Sequence, residues 1–291
     1  MKFIDNTIKL IKYIYNHYLE VSGTSPISLC KLIDSNYLLS GDIASVKKNI
    51  NQGDVIKWQE WTSEGVSIYV FERLRRFNSD VKELDNLTDC KIDKKYNLDI
   101  QDVEGLYASK SNLDEFSSLD EMVETNSNEM IDSITKEKLN ENLAHKEIRI
   151  IHNPTHDSFK TYGWDKRIFL MNSGGSHHFA AARYIASRIG VTVALQGKLE
   201  TYSINKNKVK SLLNKFNIFL FSKDQGCKYY EFNHAMQIFK VDFLQKQLPY
   251  PYHDQLATFI PRGEPRADKV SSVLKSYNFF DLGKYLLNIS S

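Results

Sequence analysis

The stretch Asn172-Ser-Gly-Gly-Ser-His-His178 gathers residue types that can hold an anion and work on it. Two adjacent glycines permit positive φ and remove side-chain bulk, so successive backbone N–H groups can turn into one concavity. A helix that follows adds its unpaired first amides and the positive end of its dipole, and phosphate is the natural guest. His177 and His178 sit at the mouth, where an imidazole can donate to phosphate oxygens or carry a proton near neutral pH. A purely structural turn gains nothing from the flanking donors Asn172, Ser173 and Ser176.

Such a turn needs a strand to deliver it and a helix to receive it. Arg167-Ile-Phe-Leu-Met171 predicts the strand, and Phe179 to Ile189 predicts the helix. Ala180, Ala181 and Ala182 let that helix sit close to a sheet, and Gly190 is its natural stop. Ile148-Arg-Ile-Ile151 and Val191-Thr-Val-Ala-Leu195 read as flanking strands.

Phe169-Leu-Met-Asn-Ser-Gly-Gly-Ser-His-His-Phe-Ala-Ala-Ala resembles the signature of the ParB/sulfiredoxin superfold. Sulfiredoxins carry Gly-Gly-Cys-His-Arg after a strand, and ParB proteins carry Gly-Glu-Arg-Arg-x-x-Ala-Ala at the equivalent step. Gly174 and Gly175 match the sulfiredoxin glycines, His177 its histidine, and Ala181 and Ala182 the ParB alanines. The resemblance spans residues 148–195. It implies a turn that binds the phosphates of ATP or CTP with Mg2+, and transfer or hydrolysis of a phosphoryl group. On that reading Ser176, His177 and His178 are the catalytic candidates, while Asn172, Ser173, Gly174 and Gly175 hold the nucleotide. Two departures follow. Ser176 stands where sulfiredoxins have cysteine, so no thiolate is present for sulfinic-acid reduction. His178 stands where an arginine grips phosphate, a role left to Arg167 or Arg183.

Charge divides the chain into three. Residues 1–98 carry 14 basic and 13 acidic side chains, residues 99–147 carry 4 and 13, and residues 148–291 carry 20 and 10. A basic surplus of that size suits a nucleotide or nucleic acid. In the front part, Ile4, Ile8, Ile11 and Tyr15 share one helical face, with Leu19 beyond and Gly23 as a stop. Thr24-Ser-Pro opens a second helix through Leu29 and Ile33, and Asp42 can cap a third over Ile43, Val46 and Ile50. Val55–Trp61 and Val66–Phe71 then read as a hairpin around Thr62-Ser-Glu-Gly65. Helices followed by a hairpin is the order of a winged helix-turn-helix, whose Lys47, Lys48, Lys57, Arg73, Arg75 and Arg76 would face DNA. The acidic middle, rich in Ser and Asn, reads as a solvated linker or as a segment folding back over the basic half.

Other residues carry weaker chemistry. His152-x-x-x-His156 with Asp157 could join His177 and His178 as metal ligands by type, but loop spacing does not aim the rings at one point, and no metal set is assigned. Lys198 and Glu200 are a catalytic pair at a sheet edge or a plain surface ion pair. Phe259-Ile-Pro-Arg-Gly-Glu-Pro-Arg266 is a lid or a connection to a last helix over Val270–Tyr277. Cys30, Cys90 and Cys227 form neither a disulfide framework nor a metal clip. No apolar run approaches the roughly 18 residues that cross a bilayer, and no leader is evident.

The expectation is an α+β protein of the cytoplasm with no membrane partner. It has a winged-helix-type helical module over 1–98, an acidic linker over 99–145, and a ParB/sulfiredoxin-like mixed α/β domain over 146–291. The expected function is nucleotide binding with phosphoryl transfer or hydrolysis. The alternatives are a non-catalytic DNA-binding regulator and a metal-dependent nuclease.

Overall fold

A computed structural model describes residues 2–43, 49–71, 75–79, 81–153, 156–223 and 229–290, with backbone alone for 2–7, 75–79 and 229–230. The chain is α+β. In chain order the strands are β1 (Val66–Val70), β2 (Arg75–Ser79), β3 (Thr88–Asp99), β4 (Val103–Leu106), β5 (Ser158–Tyr162), β6 (Ile168–Met171), β7 (Ala194–Ile204), β8 (Phe216–Ser222), β9 (Phe243–Gln247) and β10 (Gln255–Pro261). The helices are α1 (Lys2–Val21), α2 (Ile27–Asp34), α3 (Leu119–Asn126), α4 (Lys136–Leu143), α5 (Arg149–His152), α6 (Ser176–Ile189), α7 (Lys206–Lys215), α8 (Tyr229–Ile238), α9 (Pro265–Ser276) and α10 (Leu282–Asn288). No helix among the described residues is long and apolar enough to cross a membrane.

The chain forms two units, each discontinuous in sequence. The first comprises Met1–Ser45, Glu60–Leu87 and Asn205–Ile289; the second comprises Val46–Gln59, Thr88–Ile204 and Ser290–Ser291. The units therefore do not divide at the expected boundaries, residues 98 and 145.

In the first unit the sheet order is β2-β1-β9-β10-β8, with every neighbouring pair antiparallel. Phe219, Phe221, Phe243 and Ile260 from its strands bury against Leu29 of α2, Phe232 and Met236 of α8, and Val270 and Leu274 of α9. Phe221 meets Phe232 and Phe279 edge-on at centroid distances of 5.0 and 5.5 Å. Such pairs add about 0.5–1.5 kcal/mol beyond their burial.

The hairpin expected over residues 55–71 is placed differently. β1 pairs with β2 and β9. Val55–Trp61 is no strand but runs through 3-10 turns at Gln52–Asp54 and Trp58–Glu60. Val55, Ile56, Trp58 and Trp61 are all buried, a spacing that an alternating strand cannot satisfy. The third helix expected from Asp42 runs into residues 44–48, and it, Lys47, Lys48 and Arg73 lie outside the described residues.

The second unit has a mixed sheet, β3-β7-β5-β6-β4, in which β5–β7 and β4–β6 are parallel while β3–β7 and β5–β6 are antiparallel. On one face α6 buries Phe179, Ala180, Ala181 and Ala182 in a cluster with Leu119 and Met122 of α3 and Leu139 of α4. The alanines thus do what their size predicts. Strand residues of the opposite parity, Tyr162 and Phe169, cluster with Val55 on the other face. Ile148–Ile151, expected as a strand, is mostly the short helix α5. A four-residue apolar run has no periodicity to separate the two.

The acidic middle is no tether. It contains β4, α3 and α4, and buries Val103, Leu106, Phe116, Leu119 and Met122. Its polar residues cap rather than solvate: Ser118 Oγ accepts from the Glu121 N–H at 3.1 Å and Thr135 Oγ1 from the Lys138 N–H at 3.2 Å. Asp120 pairs with Arg183 at 2.8 Å and with Arg188 at 3.1 Å, both on α6. The fold-back alternative is what the second unit adopts.

Candidate functional site

β6 ends at Met171 and α6 begins at Ser176, so residues 172–175 make the turn between them. Gly175 holds φ at +66°, and a β-carbon there would fall 2.7 Å from the Glu147 backbone. Neither the dihedral nor the space admits a side chain. Asn172, 2% exposed, staples the turn to the preceding segment. Its Oδ1 accepts from the Tyr107 and Ala108 N–H groups at 3.2 and 3.1 Å, and its Nδ2 donates to the Ala108 and Gly174 carbonyls at 2.7 and 3.1 Å. With its bonding capacity used inside the protein, Asn172 shapes the turn instead of holding a ligand. Ser173 donates through both N–H and O–H to Asp157 Oδ1, at 3.2 and 3.0 Å, and Arg149 donates to its Oγ.

The next five amides behave differently. Gly175 is the N-cap of α6 and offers no side-chain cap, and the N–H groups of residues 174–178 have no acceptor among the described residues. These residues and Ser173 line a cavity of about 560 Å³, together with Ser109, Lys110, Ser127, Glu129, His145 and Glu147 among others. The first N–H groups of a helix have no partner within it, and such donors suit an anion.

The two histidines have distinct roles. His177 is held at both ring nitrogens: Nδ1 meets Ser127 Oγ, while Nε2 lies 3.1 Å from Ser111 Oγ and 3.4 Å from Ser109 Oγ. Ser109 Oγ already accepts from the Ser111 N–H at 3.1 Å and the Ser176 O–H at 3.0 Å, which leaves its own proton for Nε2. Burial pushes the His177 pKa down, with Lys110 adding to the effect and Glu129 opposing it. His177 is thus a neutral, fixed part of the wall.

His178 keeps one nitrogen open. Asn142 Nδ2 donates to the Met130 and Lys138 carbonyls at 2.9 and 3.0 Å, so its Oδ1 is the atom 3.0 Å from His178 Nδ1. His178 Nδ1 must then carry the proton, and Nε2, which has no partner among the described residues, presents a lone pair. The ring stacks on His145 with centroids 3.8 Å apart. Burial, then the neighbouring His145 and His177, push its pKa down. A neutral imidazole with a free Nε2 can accept a proton.

Of the expected site residues, Ser173, Gly174, Gly175, Ser176, His177 and His178 come together on one cavity wall. Arg167 and Arg183 do not join them. Arg167 is clamped by Asp165 at 2.7 and 2.8 Å and donates to the Asn49 carbonyl, and its charge lies over the Phe169 ring. Arg183 binds Asp120 and the Val103 and Gln101 carbonyls. Both guanidinium groups are structural clamps. Ser176, 6% exposed and donating to Ser109, is no accessible nucleophile.

The remaining candidates are accounted for within the fold. His152 Nε2 is 2.8 Å from the Leu143 carbonyl, and among the described residues no group of three His, Cys, Asp or Glu is placed to hold a metal ion. Lys198 and Glu200 form an ion pair at 2.6 Å on β7. Arg262 and Arg266, expected on a lid, donate to the Phe216 and Phe239 carbonyls within the first unit. Lys57 donates to the Gln52 carbonyl at 2.7 Å. Ser109, Lys110, Ser127, Asn142, His145 and Glu147 were not expected at the site. For Ser109 and Lys110 the one signal was the Ser109-Lys-Ser-Asn stretch, whose composition reads equally as solvated chain; the other four carried none.

Residues 93–291 match a family of unknown function, DUF6685. No curated protein and no solved structure matches the chain.

Proposed function

The chain belongs to DUF6685, a family of unknown function, and we propose that its second unit binds a nucleotide phosphate at residues 174–178. One observation carries the reading: five consecutive N–H groups without acceptors among the described residues, on residues that line one cavity. A volume of about 560 Å³ suits a ligand of nucleotide size. Lys110 supplies the cation that Arg167 and Arg183 do not.

Glu129 and Glu147 line the same cavity and would repel a bare phosphate. They favour a phosphate that arrives with a divalent cation, for which carboxylate oxygens are the natural ligands. ATP or CTP with Mg2+ meets that requirement, in keeping with the ParB/sulfiredoxin-like resemblance of the turn. Bound Mg2+ would neutralise phosphate oxygens. His178 Nε2 would take the proton from an attacking water or hydroxyl, while His177 and Asn142 keep the wall and the reactive ring in place. The reaction class is phosphoryl transfer or hydrolysis.

The test is a thermal-shift titration of the full chain with ATP, CTP and inorganic phosphate, each with and without Mg2+. A nucleotide with Mg2+ at a hundred times its Kd should stabilise by about 2.7 kcal/mol, and Lys110→Glu should remove most of that shift. His178→Ala should keep the shift while cutting turnover by roughly 100-fold or more. No stabilisation by either nucleotide at millimolar concentration sinks the proposal.

A further inference from the structure

Helix α1 runs for 20 residues, about 30 Å at 1.5 Å per residue. Its last turn is packed: Glu20 accepts from the Ser28 N–H and O–H, and Leu19 is half-buried. Residues 8–15 are all exposed. Ile8, Ile11, Tyr15 and Tyr18 follow the alternating three- and four-residue spacing of a coiled-coil seam, and Leu10 and Ile14 widen the stripe. Each of these six is between 58 and 66% exposed.

A bare stripe of this kind does not hold a helix together. Ile and Tyr are indifferent helix formers, and an isolated helix of this length draws most of its stability from a packed apolar face. Something must cover α1. We infer that a second copy of this chain covers it, laying the same stripe of its own α1 against the first.

Three features favour a like partner. The seam is self-complementary, since knobs at the 8, 11, 15, 18 spacing fit the holes of an identical helix. The area is sufficient: at roughly 200 Å² for a large side chain, six such residues expose about 700 Å², close to the roughly 800 Å² per partner of a stable interface. The charge is wrong for a lipid surface, because Lys9 and Lys12 are the only Lys or Arg between Ile8 and Val21, whereas membrane-surface helices carry a basic polar face.

The test is sedimentation velocity on the full chain across the micromolar range. The expected result is a species of two or more chains, whose dissociation constant rises by roughly 100-fold or more when the apolar seam is charged by Ile11→Lys with Tyr15→Lys. A second variant guards against misfolding: in a chain whose Cys30, Cys90 and Cys227 are replaced by serine, Ile11→Cys should form an interchain disulfide under oxidation that the same chain without it does not form. A monomer at every concentration overturns the inference, as does an oligomer that survives the double lysine variant. Flotation of a monomeric wild-type chain with anionic vesicles would overturn it in favour of a lipid surface.

Discussion

The two units bury their sheets in opposite styles. The first fills its core with phenylalanine rings, among which Asn217 donates to Ser271 at 3.1 Å and Gln245 to Thr258 at 3.2 Å. The second turns three alanines of α6 toward its sheet and leaves a cavity at that helix's first turn. Asn172, Ser109, Ser111 and Ser127 are bonded to protein partners, yet five amides beside them have no acceptor among the described residues. Buried polar groups in folded proteins are mostly paired, so the unpaired amides of this turn set it apart from the polar groups around it.

The sharpest way to break that comparison uses two glycines of equal backbone strain. Gly175 and Gly190 hold φ at +66° and +67°, but a β-carbon at Gly190 meets nothing within 4 Å while one at Gly175 strikes the Glu147 backbone. Gly190→Ala should cost roughly 1–2 kcal/mol for the left-handed dihedral alone. Gly175→Ala should cost about 3 kcal/mol or more, because overpacking adds to the strain. Urea unfolding measures both, and equal costs would mean that the turn is free to move away from Glu147. Gly175 variants therefore report on folding and are unsuited to probing ligand charge.

A smaller effect separates the buried amides of the two units. Asn172→Ala removes the acceptor of two backbone N–H groups and should cost about 2–3 kcal/mol, whereas Asn217→Ala should cost nearer 1 kcal/mol. Similar values would remove the special standing of the turn.

The smallest effect is that of pH. His177 and His178 are both held below the ordinary histidine value of 6.5, chiefly by burial. As pH falls through 6.5 the unfolded chain takes up these protons first, so stability is full above that value and declines below it. The urea midpoint should hold between pH 8 and 7 and drop between pH 6.5 and 5. Replacing both histidines with glutamine should flatten that slope, and an unchanged slope would place its origin elsewhere.

Much of the site was legible because its constraints are local. A strand, two glycines, a run of alanines and a closing glycine specify β6, the turn, α6 and its end within 23 residues, from Ile168 to Gly190. The opposite wall was not legible, since Ser109, Ser127 and His145 reach the turn through tertiary contacts that no spacing encodes. Composition misdirected the reading of the acidic middle, where Asp120 and Ser118 answer α6 and α3, respectively, in place of water. Arg167 misled for a simpler reason: its clamp, Asp165, lies two residues away. In the front part, the tryptophans of Val55–Trp61 pack as turns, which alternating propensity does not anticipate.

The interrupted course of both units has a consequence for how the chain is made. Ser67 of β1 pairs with Gln245 of β9, so the first unit's sheet must wait until the ribosome has passed Gln245. The second unit has its final strand once Ile204 emerges. β1 and β2 thus precede β9 by about 165 residues, and must remain soluble as a two-stranded ribbon while the Gly-Gly turn is already assembled.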